Sequence, residues 1–364
     1  MILDTPCVLV DVDRLEKNIH TMAELAAHYR VALRPHVKTH KSVRIAHMQL
    51  AAGAKGITVA KVSEAEVMAR SGIKDIFIAY PIVGEEKLRR LLLLNRQCRL
   101  IVGVDSLHGA LGMAKAARQA RQQLTVQLEV DIGFARTGAA REDAIRLALD
   151  IGRIEGLQLN GIFAFKSLTL AGKPTSDRKA AGLEEGRLMV DLAEKIRSAG
   201  MPLQDVSVGS TPTAAYAATV PGITEIRPGT YVFNDMATVA SGSCTLEDCA
   251  ARVCVTVVSR SKDRLVIDGG SKTFSTDSQP GIPPLNLEGF GKIISDDRLL
   301  LQRFTEEHGM IALCEGAKPH EVGDQLLIIP NHICTTVNMH NSLTLVKDSR
   351  IQEVIPVDAR GCVT

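Results

Sequence analysis

The sequence predicts an α/β protein: a TIM-like (β/α)8 barrel followed by a β-rich C-terminal domain. Three observations predict it. Strand-like and amphipathic helical runs alternate between residues 31 and 226, and such alternation calls for parallel strands. Eight strand-like runs in that length suit a closed barrel better than an open sheet. Beyond residue 240 the long helical patterns stop, and short apolar runs between Gly, Pro and Asp turns take over.

In chain order, residues 7–10 read as a short strand and 11–29 as a helix, with Leu15, Ile19, Met22, Leu25 and Ala26 at helical spacing. The barrel strands are expected at 31–33, 56–60, 75–80, 99–104, 124–131, 157–164, 205–208 and 224–226. Helices are expected at 42–53, 62–71, 85–94, 109–121, 142–152 and 182–200, with a short one at 212–219. Six further strands are expected at 253–259, 263–268, 310–314, 325–329, 342–347 and 350–357. We divide the chain into a barrel at 10–240 and a β-rich domain at 241–364, the latter joined by residues 1–9.

Composition narrows the function. The chain has 364 residues, 45% hydrophobic and 23% charged, enough for a large core. A net charge of +2, aromatics at 3% and no Trp argue against a nucleic-acid partner. No apolar stretch reaches 18 residues and the N-terminus lacks a signal-peptide pattern, so a soluble cytoplasmic protein without a membrane partner is expected. Eight scattered cysteines suit reduced thiols rather than a disulfide framework.

Barrel active sites lie at the C-terminal ends of the strands. After the first strand comes Arg34-Pro35-His36-Val37-Lys38-Thr39-His40-Lys41. A lysine crowded by other cations loses proton affinity and can act as an amine nucleophile; the alternative is a basic helix start on the surface. After the fifth strand lies Arg136. After the seventh lies Gly209-Ser210-Thr211, with backbone N–H groups and hydroxyls suited to phosphate, and after the eighth Arg227-Pro228-Gly229-Thr230-Tyr231. A lysine nucleophile and a phosphate cup on one barrel face suggest pyridoxal 5′-phosphate (PLP). Arg136 would reach the cofactor, or else pair with Asp131 or Glu129. In the β-rich domain, His332 and Cys334 would share one face of a strand and offer imidazole and thiolate to Zn2+. Glu306-Glu307-His308-Gly309 would line the same site or form a turn.

These stretches, with Thr5-Pro6, Val62-Ser63-Glu64-Ala65-Glu66 and Val130-Asp131-Ile132-Gly133, resemble the D-threonine aldolase and D-serine dehydratase family of alanine-racemase-type (fold type III) PLP enzymes. The resemblance implies Lys38 as the PLP-carrying lysine, Arg136 near the cofactor oxygen, and Gly209, Ser210, Thr211, Gly229 and Tyr231 around the phosphate. It implies His332 and Cys334 as ligands of a metal beside the PLP. The His-x-Cys form resembles the dehydratase branch and zinc; the aldolase branch more often carries His-x-Asp with Mn2+ or Mg2+, harder ions suited to carboxylate. The implied activity is a metal-dependent lyase on D-β-hydroxy amino acids: a D-serine or D-threo-3-hydroxyaspartate dehydratase releasing a 2-oxo acid and ammonia. The alternatives are aldol cleavage to glycine and an aldehyde, an amino-acid racemase, or a PLP-binding protein without turnover. A homodimer is also implied. One departure stands out: residues 161–169 lack the histidine that many relatives carry after the sixth strand. Lys166 there either recognises a substrate carboxylate or is a solvated loop lysine.

Overall fold

A computed structural model describes residues 3–318 and 320–364. The chain forms two compact units. One comprises Thr21–Lys38, Ile45–Gly229 and Gly361–Thr364; the other holds the described residues up to His20, Thr39–Arg44 and Thr230–Arg360.

The first unit is built on eight parallel strands: Ala32–Leu33, Ile57–Val59, Asp75–Pro81, Arg99–Val104, Leu124–Asp131, Leu157–Phe163, Asp205–Val208 and Glu225–Ile226. The first strand pairs the eighth, and pairing then runs in sequence back to the second. A parallel bridge between His36 and Thr58 joins the first strand's end to the second. The Thr58 N–H donates to Pro35 O at 2.8 Å and the Lys55 N–H to Leu33 O at 2.9 Å. The ring of eight therefore closes. Helices Val43–Ala51, Val62–Arg70, Glu85–Asn95, Leu107–Gln119, Ala144–Gly152, Arg178–Ser198 and Ala214–Ala217 follow successive strands. Ser106 and Asp177 start two of these helices by accepting from the N–H groups of Gly109 and Ala180. Phe77, Ile101 and Phe163 form a buried apolar cluster. Beside it runs a buried polar layer that departs from the branched aliphatic filling usual in such barrels. Arg34 Nε donates to Glu225 Oε2 at 2.7 Å and its Nη1 to Asp75 Oδ1 at 2.5 Å. Asp205 accepts from Gln127 and Asn160.

The second unit carries a nine-stranded sheet. The N-terminal strand Cys7–Asp11 lies within it, antiparallel to Ala251–Arg260 with Cys7 opposite Cys254, and parallel to Ser342–Lys347 with Val8 beside Leu343. Alternation along one strand turns Val253, Val255 and Val257 into a core shared with Leu265, Ile267, Phe274 and Ile328. Strands Gly291–Ile293 and Leu299–Phe304 were not expected from the sequence. The first is short and follows a Pro-rich loop; the second pairs in an irregular register that shifts between Leu301 and Arg303. No helix among the described residues is long and apolar enough to cross a membrane.

Candidate functional site

In the barrel unit, Lys38 sits in the single helical turn Val37–Thr39 that follows the first strand, with its side chain exposed. The expected crowding of cations around it does not extend to Arg34. That guanidinium is fully buried and held by two carboxylates. Burial works to lower its pKa, but Glu225 and Asp75 outweigh this and hold it above the ordinary value.

The loop after the seventh strand turns on Gly209 at φ +92°, a left-handed conformation that favours glycine. The Gly209 N–H donates to Glu185 Oε1 at 3.2 Å, and Thr213 Oγ1 donates to Glu185 Oε2 at 2.8 Å. The Ser210 N–H donates in turn to Thr213 Oγ1 at 3.1 Å. Glu185, on the preceding helix, is thus the post on which Gly209-Ser210-Thr211 is mounted. Burial raises its pKa, while Thr213 and Gly209 favour the charged form. Ser210 is buried and Thr211 half-buried. Gly229 ends the barrel unit's long segment Ile45–Gly229, while Tyr231 is a buried member of the strand-rich unit.

Arg136 lies exposed, its guanidinium carbon 5.2 Å from the ring centre of Phe134 and 5.0 Å from that of Phe165. The alternative pairing with Asp131 or Glu129 is not what those carboxylates do. Asp131 Oδ1 accepts the N–H groups of Gly133, Phe134 and Ala135, and Glu129 accepts from Thr137 at 2.8 Å. A solvated Lys166 is also excluded: its side chain is fully buried and ion-paired to Glu184. Desolvation lowers its pKa, with Glu185 opposing.

Arg227 was quoted from the sequence only as part of a loop. The structure buries it, with Nη2 donating to Ala164 O at 2.8 Å, Nη1 bonded to Ser207 Oγ, and the guanidinium carbon 5.3 Å from the Phe163 ring centre. An arginine directly after the strand Glu225–Ile226 was the available signal. Burial lowers its pKa against Glu225, Glu185 and Glu129.

In the strand-rich unit, His332 and Cys334 are not on a strand. The backbone turns after Pro330, His332 caps the helix Ile333–Met339, and Cys334 lies in its first turn. The pair still meets: the two side chains are hydrogen-bonded to each other. Loss of solvent works to lower the His332 pKa, but the Cys334 thiolate and Asp277 outweigh it and raise it to about 11. Desolvation pushes the Cys334 thiol up, and His332 outweighs that to leave it lowered. Cys334 Sγ lies 3.2 Å from Thr39 Oγ1 and 3.6 Å from Thr230 Oγ1.

Two further acids here were not singled out from the sequence. Buried Asp235 accepts the Ile333 N–H at 3.0 Å while capping its own helix through Thr238. Asp277 Oδ2 lies 2.6 Å from His332 Nδ1. Asp235 carried a signal, the Asp-x-x-Thr of a capping box; Asp277 lay in a stretch that reads only as a turn. Among the described residues no group of three or more His, Cys, Asp or Glu is arranged to hold a metal. His308 lies exposed in the turn between Leu299–Phe304 and Gly309–Leu313, 3.5 Å from Thr305 Oγ1, and its neighbour Glu307 pairs with Lys272. Residues 305–308 form the connection between these two strands.

Comparison with known families decides the kinship. Residues 10–236 match the alanine racemase N-terminal domain, and residues 250–346 match a putative serine dehydratase domain. The chain belongs to the alanine racemase N-terminal domain family. Within this family of PLP enzymes, it is 35% identical to a D-threo-3-hydroxyaspartate dehydratase of Delftia sp. (strain HT23), over 92% of each chain. It is 32% identical to a D-threonine aldolase of Arthrobacter sp., over 99% of this chain and 93% of that one. The crystal structure of the Delftia dehydratase superposes with a TM-score of 0.89 at 34% identity, covering 97% of each chain. A Cys→Ala variant of that enzyme has been solved in a metal-free form. The alanine-racemase-type relatives of this chain are lyases, dehydratases and aldolases alike.

Proposed function

We propose that the chain is a PLP- and metal-dependent dehydratase of D-β-hydroxy amino acids, with D-threo-3-hydroxyaspartate and D-serine as the substrates to try first. The observation that carries the reading is the His332–Cys334 pair, two side chains hydrogen-bonded to each other that offer nitrogen and sulfur donors. Such a donor set favours zinc, the metal of the dehydratase branch. The kinship to the Delftia dehydratase points the same way.

The residues suit both groups. An exposed primary amine on Lys38 can carry PLP, and the hydroxyls and glycine backbone at Gly209, Ser210 and Thr211, with Gly229 and Tyr231, suit a phosphate. Arg136 is the residue proposed for the cofactor's ring oxygen. When bound, PLP supplies an electron sink for the charge that develops at the substrate Cα, and a metal on His332 and Cys334 supplies a Lewis acid for the β-hydroxyl. Lys38 Nζ, once free, takes the α-proton. Loss of that proton and of the hydroxyl removes water; addition of water then releases ammonia and leaves the 2-oxo acid. No substrate role is proposed for Lys166, whose buried side chain is ion-paired to Glu184. The family resemblance also supports a cytoplasmic homodimer, which sedimentation checks for the assembly.

The kinship to the Arthrobacter aldolase favours a second reading, aldol cleavage. Product analysis decides between them. Protein loaded with PLP and Zn2+ is incubated with D-serine, D-threonine and D-threo-3-hydroxyaspartate. A 2-oxo acid with ammonia is expected; glycine with an aldehyde would overturn the dehydratase reading.

A further inference from the structure

We propose that Asp277 is the positioning residue of the His332–Cys334 pair: it holds His332 in the Nδ1–H form, so that Nε2 is the nitrogen offered to a divalent metal. The inference rests on the metal reading above and goes beyond the two ligands to the group that sets their geometry.

The argument begins with the carboxylate. Asp277 Oδ2 lies 2.6 Å from His332 Nδ1. An ionised carboxylate only accepts, so the ring nitrogen facing it must carry the hydrogen. A neutral imidazole then has its lone pair on Nε2, the form in which a second-layer carboxylate fixes the ring and raises its basicity as a ligand. Asp277 is itself oriented: Oδ1 accepts from Thr335 Oγ1 at 2.9 Å and from Ser275 Oγ at 2.8 Å. Turning the carboxylate away from His332 would break both bonds.

The contact is also part of a longer seam. Thr336 Oγ1 donates to Phe274 O at 2.8 Å, His340 Nε2 lies 3.1 Å from Thr273 O, and Asn331 Nδ2 donates to Ser278 O at 3.2 Å. The segment from Thr273 to Ser278 is therefore stitched along the helix that bears Cys334 and to its flanks on either side. Within that seam Asp277 is bonded to His332. Buried Asp235 fixes the same helix start from another direction through the Ile333 N–H. The imidazole is thus set by Asp277 and the helix that aims the thiol by Asp235.

The test measures metal binding rather than turnover. PLP-loaded, metal-stripped protein is titrated with Zn2+ in competition with a chelating dye. Asp277→Ala is expected to weaken Zn2+ binding by about 10–100-fold. Asp277→Asn should weaken it less, because the amide oxygen still accepts from Nδ1–H. The visible absorbance of lysine-bound PLP should be the same in all three proteins. NMR of 15N-histidine-labelled, Zn2+-loaded wild type should show Nδ1 protonated and Nε2 metallated at His332. If wild type binds Zn2+, Cys334→Ala loses it, and Asp277→Ala binds as wild type does, Asp277 has no positioning role while the metal reading stands. Metallation at Nδ1 overturns the proposal in the same way. If wild type binds no Zn2+, the metal reading falls and the Asp277 proposal with it. Should Asp277→Ala not fold, the Asn variant and the wild-type tautomer still decide.

Discussion

Arg34 and Lys38 stand four residues apart on one cationic stretch, yet they inhabit opposite environments. Arg34 is fully buried and clasped by Glu225 and Asp75, whereas Lys38 is exposed on a single turn past the strand end. A run of positive residues in a sequence is therefore not one electrostatic environment. On a barrel strand the chain runs from the interior to the rim within a few residues, and the same charge changes from a buried clamp to an exposed side chain. Lys38→Ala breaks or sharpens that contrast most strongly. On the proposed reading it removes the visible absorbance of lysine-bound PLP and lowers kcat by at least about 10²–10⁴-fold, with thermal stability of the metal-loaded protein nearly unchanged. An equally large loss of stability would mean that Lys38, like Arg34, is part of the framework.

The complementary change is Glu225→Gln. It removes the Glu225 charge beside the buried Arg34 guanidinium and puts an NH2 donor in place of one of two acceptor oxygens, Oε2 facing Arg34 Nε or Oε1 facing Ser207 Oγ at 2.7 Å. Removing one partner of a buried ion pair costs about 3–5 kcal/mol. Urea denaturation should show that loss as a lower midpoint with an unchanged slope. A loss near zero would mean that the buried cluster tolerates a neutral partner and that Arg34 is held by packing.

The same contrast explains what the sequence revealed. The barrel was legible because its signals are local. Periodicity found strands such as Arg99–Val104, Leu124–Asp131 and Asp205–Val208 with their observed bounds, since each strand and the helix after it are read within one short window. The strand-rich sheet is assembled from distant pairings, such as Cys7 with Cys254, and there two strands escaped notice. His332 and Cys334 were legible as a chemical pair but were assigned to a strand, because a two-residue spacing carries no information about the helix that begins between them. Asp277 was not legible: its meaning depends on a contact 55 residues away. The burial of Arg34 and Lys166 was not legible, for a single reason. The carboxylates that neutralise them, Glu225, Asp75 and Glu184, lie elsewhere in the chain.

The smallest expected effect tests whether burial, rather than ion pairing as such, makes the Arg34 cluster strong. Lys17 and Asp248 form a pair with the same opposite charges, 2.8 Å apart, but the lysine side chain is 66% exposed. The Lys17 hydrogen bond, with those from Thr245, holds Asp248 well below the usual carboxylate range, at about 2. A carboxylate with a depressed folded pKa contributes stability that is present above its unfolded value of 3.8 and is lost as pH falls toward 2. Asp248→Asn should therefore cost only about 1 kcal/mol at neutral pH, as exposed pairs do. Its stability should converge on that of wild type as acid protonates Asp248 in the parent. Equilibrium denaturation at a series of pH values reads both. A gap that stays constant into acid would mean that hydrogen bonding at the helix start, not charge, does the holding. A gap as large as that of Glu225→Gln would remove burial as the explanation for the difference between the two pairs.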